Sequence, residues 1–154
     1  MATDYRFDPD QKLVVTCYWG RVQAADVATV RRARERDDGL AGVGAHLVVA
    51  TGIEHLDLSA PETREAAGYV ATGTDETSRV RTAIVARSDI VFGMSRMFGM
   101  RVDVLRDGGQ VRVFRTWEEA AGWLRLDLRR ARTLADEMHA GPGLPVGESD
   151  GAAG

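Results

Sequence analysis

Four places in this sequence carry residue types able to do chemistry. The first is Asp57-Leu58-Ser59-Ala60-Pro61-Glu62. Ser59 and Glu62 have the spacing of a capping box, and Pro61 is tolerated in a first helical turn. A cap alone accounts for both residues. A serine there, with Asp57 beside it, is also a candidate phosphoacceptor or partner-binding residue, because a phosphate at a helix start meets free N–H groups and the positive end of the helix dipole. The second place is Ser88, Asp89, Gly93 and Arg96, a helix start just after an apolar strand, where α/β sheets tend to place ligands. Together these four residues form a candidate ligand- or anion-binding site. The structural alternative has Ser88 or Asp89 capping, Gly93 allowing close helix–sheet packing and Arg96 pairing with a carboxylate. The third place is the methionine-bearing stretch Met94, Met97, Phe98 and Met100. Soft side chains of this kind fill cores, but three methionines on one helix cannot all face one sheet, and Met97 falls off the Met94–Phe98 stripe. Met94, Met97 and Met100 are therefore candidate interface or pocket residues.

The fourth place is the set of three histidines and the single cysteine. His46 begins a strand, His55 lies in a loop near Asp57, and His139 is near the end of the last helix. A metal site needs at least three placed ligands, and no such set is in reach, so no metal is expected. Cys17 alternates with apolar strand neighbours and reads as a buried, inert thiol. Ser88 lacks the flanking glycines of a nucleophile elbow. No triad or carboxylate pair stands at a defensible spacing, so neither catalytic residues nor cofactors are assigned.

The 154 residues, 44% hydrophobic and 28% charged, fit a single globular domain with a core of its own. A net charge of −3 argues against a nucleic-acid binder. No apolar run approaches the roughly 20 residues of a membrane span, and the polar start has no signal-peptide core, so a cytoplasmic protein is expected. All but one of the 20 basic residues are arginine, the exception being Lys12. A bias this uniform reflects codon composition rather than recognition.

The elements that must position these residues follow from periodicity. Tyr5–Asp8 and Leu13–Trp19 alternate as strands around the Asp8-Pro9-Asp10-Gln11 turn. Ala24 to about Arg36 has helical spacing, with Asp26 in its first turn and Gln23 as a poor cap. His46–Ala50 and Arg81–Ala86 are buried strands. Helices start at Ser59 and at Ser88 or Asp89, Gln110–Arg115 alternates, and Thr116–Glu119 opens a long last helix. The order ββαβαβαβα predicts a five-stranded mixed sheet flanked by four helices.

This order resembles the STAS domain, and the chain resembles its small SpoIIAA-like bacterial group. The likeness rests on three stretches. One is Val14-Val15-Thr16-Cys17-Tyr18-Trp19-Gly20-Arg21-Val22 with Ala25-Asp26-Val27. Another is the run from Arg81-Thr82-Ala83-Ile84-Val85-Ala86 through Ser88-Asp89 to Phe98. The last is Val113-Phe114-Arg115-Thr116-Trp117-Glu118-Glu119 on to Leu124. It spans about Tyr5 to Leu124 and implies a STAS-like domain over residues 1–124. An extension of the last helix over 125–140 and a flexible Gly/Pro-rich tail over 141–154 lie beyond it. The resemblance implies a phosphorylatable serine at the start of the second helix, the place of Ser59. The family's pattern there, Asp-Ser followed by Ser or Thr and then Gly, is not matched.

The expected function is regulatory recognition without catalysis, through a homodimer or a protein partner. Ser59 with Asp57, and Met97 with Arg96, are the expected contact residues. The alternative is a carrier or sensor of a small apolar, lipid-like ligand held between the sheet and the methionine-bearing helix; an enzyme ranks last. The last helix, with Arg125, Arg129, Arg130 and Arg132 among acidic residues, either covers the sheet or docks a partner.

Overall fold

The computed structural model describes residues 2–40, 42–71, 80–106, 111–140 and 144–145. Strands β1 (Ala2–Asp8) and β2 (Leu13–Gln23) form the expected antiparallel hairpin. The buried Asp8 shapes its turn: one carboxylate oxygen accepts the Asp10 N–H at 3.1 Å, and the other accepts the Gln11 side-chain amide at 2.8 Å. Helix α1 (Ala24–Glu35) follows, then β3 (Ala45–Asp57), α2 (Ala60–Ala71), β4 (Arg81–Val85), α3 (Asp89–Arg106) and β5 (Val111–Phe114). Strands β2, β3, β4 and β5 run parallel. The expected α/β architecture with a mixed sheet is therefore present. β3 runs well past the expected His46–Ala50, because β2 continues beside it through two register shifts to Gln23.

Two features differ from the expected layout. The long last helix is two helices, α4 (Trp117–Leu124) and α5 (Leu128–Ala140), which makes five α-helices among the described residues rather than four. The break lies at Arg125, which adopts a left-handed conformation with φ 57°. The Leu126 N–H turns back to the Ala121 carbonyl at 3.1 Å, closing the helix end, and Asp127 accepts the Arg130 N–H to begin α5. Residues 125–140 are thus a separate helix folded back on the sheet, not a straight extension. Arg130 then bonds both Asp8, at 2.8 Å, and Asp10, at 3.0 Å, and so fastens α5 to the hairpin turn. Burial alone would raise the Asp8 pKa, but the Gln11 amide, Arg130 and two backbone N–H groups outweigh it and hold the carboxyl below its usual range. The second difference is in the tail. Leu144–Pro145 form a short strand, β6, beside β1, and the sheet order becomes β5-β4-β3-β2-β1-β6. The rest of the tail lies outside the described residues.

The two faces of the sheet are packed differently. On one, Leu13, Val15, Cys17, Leu47, Val49, Ala83 and Val85 meet Ala120 and Leu124 of α4 and Ala131, Ala135 and Met138 of α5. Cys17 lies in this layer, and burial pushes its thiol up to about 12, which makes it inert as expected. The other face meets α1, α2 and α3 through two smaller clusters, one around Val30 and one around Ala67, Val91 and Val102. Among the described residues no helix is long and apolar enough to cross a membrane.

Candidate functional site

Because the helices on the second face do not close over the sheet, a cavity of about 830 Å³ lies between the sheet and α1, α2 and α3. That volume falls in the range of small-molecule pockets. Strand alternation dictates the floor: Val14 and Tyr18 of β2, His46, Val48 and Ala50 of β3, and Ile84 of β4 all point this way. Met94 and Phe98 of α3 and Val70 of α2 form apolar walls, and α1 contributes Val27, Arg31 and Arg34.

Charged and polar groups gather where the last turn of α1 passes the middle of β2 and the start of β3. Thr16 is fully buried beside the cavity. Its Oγ1 accepts a hydrogen bond from Arg34 Nη1 at 3.0 Å and lies 2.8 Å from His46 Nε2. Burial first, and the positive charge of Arg34 second, hold the His46 pKa well below 6.5, so the ring is neutral at physiological pH. A neutral Nε2 can take the hydroxyl proton that Thr16 has free, which gives the chain Arg34 to Thr16 to His46 a consistent direction. At the same end Asp37 accepts the Tyr5 hydroxyl at 2.7 Å and the Gly39 N–H at 2.9 Å. Tyr5 is pushed up to about 12, by burial and then by Asp37. Arg31 pairs with Glu35 at 3.1 Å and stacks on the Tyr69 ring, 4.3 Å from its centroid.

The residues singled out from sequence fall into three places. Ser59 caps α2 through the expected reciprocal pair: the Glu62 N–H donates to Ser59 Oγ at 3.1 Å, and the Ser59 N–H donates to the Glu62 carboxylate at 3.0 Å. The Ser59 backbone N–H, then its hydroxyl, hold Glu62 below its usual pKa. Asp57 is engaged by His55 at 2.9 Å and by Arg21 at 3.5 Å. Ser88 caps α3 through the Val91 N–H at 3.2 Å, while Asp89 meets Arg115, not Arg96, at 3.0 Å. Gly93 and Arg96 lie instead on the outer side of α3, in a shallow groove with Arg64, Met97, Met100, Arg101 and Val104. The four residues read as one anion site do not converge. Nor does Gly93 allow close packing, since a Cβ there would meet nothing within 4 Å; that role belongs to Gly99, whose added Cβ would lie 3.1 Å from Val111 Cγ1. The methionines divide as their spacing requires, Met94 into the cavity and Met97 and Met100 outward.

Arg34, Thr16 and His46 were not recognisable as a site from the sequence. The available signal was two polar residues on the same face of otherwise apolar strands. Among the described residues no group of three His, Cys, Asp or Glu side chains stands where it could hold a metal ion.

No protein-family model and no curated protein matches the chain. Among solved structures, it is similar to an uncharacterised protein of the DUF3478 family from Shewanella loihica PV-4, described as having a SpoIIAA-like fold. The two share 16% identity with a TM-score of 0.54, over 80% of this chain and 93% of the other. The hairpin, the parallel strands and the crossover helices that hold the cavity thus make up a SpoIIAA-like fold.

Proposed function

We propose that this chain is a binding module rather than an enzyme, and that its cavity takes a small, largely apolar molecule. The observation that carries this reading is the cavity of about 830 Å³ between the sheet and α1–α3, lined by Val14, Val48, Ile84, Val70 and Phe98 with its charged groups gathered near the end of α1. A neutral dye that fluoresces in apolar surroundings should bind the full chain with one site. Val48→Trp, which fills the cavity from the sheet, should weaken that binding by about tenfold or more while the circular dichroism spectrum stays native. No dye binding, or equal binding by the filled variant, would overturn the reading.

A second reading, recognition of a protein surface, is favoured by the outer side of α3. There Ile90, Met100 and Val104 are 72%, 63% and 74% exposed, and Arg64, Arg96 and Arg101 flank the stripe with Met97. In this reading the stripe is where two copies of the chain meet, and Ser59 with Asp57 is a separate contact or phosphoacceptor site. Sedimentation equilibrium should then show a dimer that Met100→Glu converts to a monomer. A monomer for the unaltered chain at high concentration would remove the dimer.

A further inference from the structure

The cavity has a polar end at which one guanidinium lacks a direct carboxylate partner, and that end points to the chemistry of the ligand. Arg34 lines the cavity from the last turn of α1. Its guanidinium donates to the Thr16 hydroxyl and also faces the Tyr18 hydroxyl, and no described carboxylate lies within 4.0 Å of it. Other arginines are placed differently: Arg6, Arg21, Arg31, Arg115, Arg130 and Arg132 each have a carboxylate partner. Arg31 makes the contrast sharpest, because it lines the same cavity from the same helix and is paired with Glu35.

A guanidinium offers five donors in a planar fork, and Thr16 and Tyr18 take up only part of it. A cation set among apolar side chains with only a neutral partner is costly unless something else answers its charge. The acidic groups at this end temper that charge from a distance, but none forms a direct pair with Arg34. Asp37 is held by Tyr5 and Gly39, Glu35 by Arg31, and Asp38 is exposed. His46, on the far side of Thr16, adds no negative charge. The remaining lining is mostly apolar, with Thr63, Tyr69, Thr82 and Ser95 as neutral polar exceptions, so a complementary molecule has a largely apolar body and an anionic end for Arg34.

Building on the cavity reading, we infer that the ligand is an amphipathic carboxylic acid whose carboxylate is held by the free part of the Arg34 fork, with its apolar body along Val14, Val48, Ile84 and Phe98. A carboxylate fits the fork with two parallel N–H···O bonds, and the water-poor cavity strengthens them.

The test uses the full chain at about pH 7.5, where a carboxylic acid is ionised. Two matched pairs are titrated calorimetrically: decanoic acid with 1-decanol, and 2-naphthoic acid with 2-naphthalenemethanol. The acid of at least one pair should bind about tenfold or more tightly than its alcohol. Arg34→Met should bring the acid down to the affinity of the alcohol and leave the alcohol unchanged. Arg31→Met should keep the preference. Equal affinity of acid and alcohol for the unaltered chain would overturn the carboxylate assignment while leaving the cavity reading intact. So would a preference that survives Arg34→Met. Binding of none of the four would remove the cavity reading and the assignment with it. The comparison on the unaltered chain holds even if Arg34→Met fails to fold.

Discussion

Leu47→Ala will destabilise the fold by about 2–5 kcal/mol, whereas Val48→Ala, one residue along the same strand, will cost less than about 1 kcal/mol. Leu47 is 1% exposed and packs in the layer under α4 and α5, so its truncation leaves a void that rigid neighbours fill poorly. Val48 points to the opposite face, where it is only partly buried and borders the cavity, so losing its methyl groups gives up some packing against the clusters there but only widens a space already open. Urea titrations of the two variants check this as shifts in midpoint at constant slope. Similar losses at the two positions would mean that both faces are packed alike, and the cavity would lose its standing as a binding space.

Acidification from about pH 6.5 to pH 5 will destabilise the unaltered chain, by at most about 1.7 kcal/mol, and His46→Gln will remove most of that dependence. The folded ring is held below 6.5 by burial and by Arg34, while the unfolded ring has its ordinary value. In the intervening window the unfolded chain binds the proton and the folded chain does not. Stability therefore falls as pH falls, by at most about 1.4 kcal/mol per unit, until the folded ring titrates. Asp26, raised by burial from 3.8, and Asp8, lowered, act with opposite signs and mainly on the acid side of this window. The difference between the unaltered chain and His46→Gln isolates the ring. A flat profile for the unaltered chain over this range would show that His46 takes a proton freely, and hence that it is not shut in beside Arg34.

The parts of the fold that were legible in the sequence are those set by local rules. Val15, Cys17, Leu47, Val49, Ala83 and Val85 alternate or run apolar as buried strands must, and all lie in one layer. Ser59 with Glu62 and Thr116 with Glu119 bracket helix starts, and both pairs form. The helix break was not legible, because Arg125 takes a left-handed conformation usually left to glycine and no proline marks the place. Gly93 and Gly99 look equivalent along the chain, and only the approach of β5 tells them apart. The polar end of the cavity was hidden for the same reason. Thr16 lies 18 residues from Arg34 and 30 from His46, and only the register of β2 against β3 and the descent of α1 bring the three together. A neutral histidine on an apolar strand looks like a core residue until the space above it is seen to be open.

The outermost strands decide how this protein can and cannot associate. β6 pairs with β1 at Ala2 and Thr3, and one of its two residues is Pro145, which has no N–H to offer a further strand. At the other margin β5 is four residues long, its exposed Arg112 leaning over the Trp123 ring at 5.7 Å. A short strand with a charged side chain, and a proline at the opposite border, are the means by which sheets resist edge-to-edge aggregation. Both described margins thus carry features that discourage a further chain from lengthening the sheet.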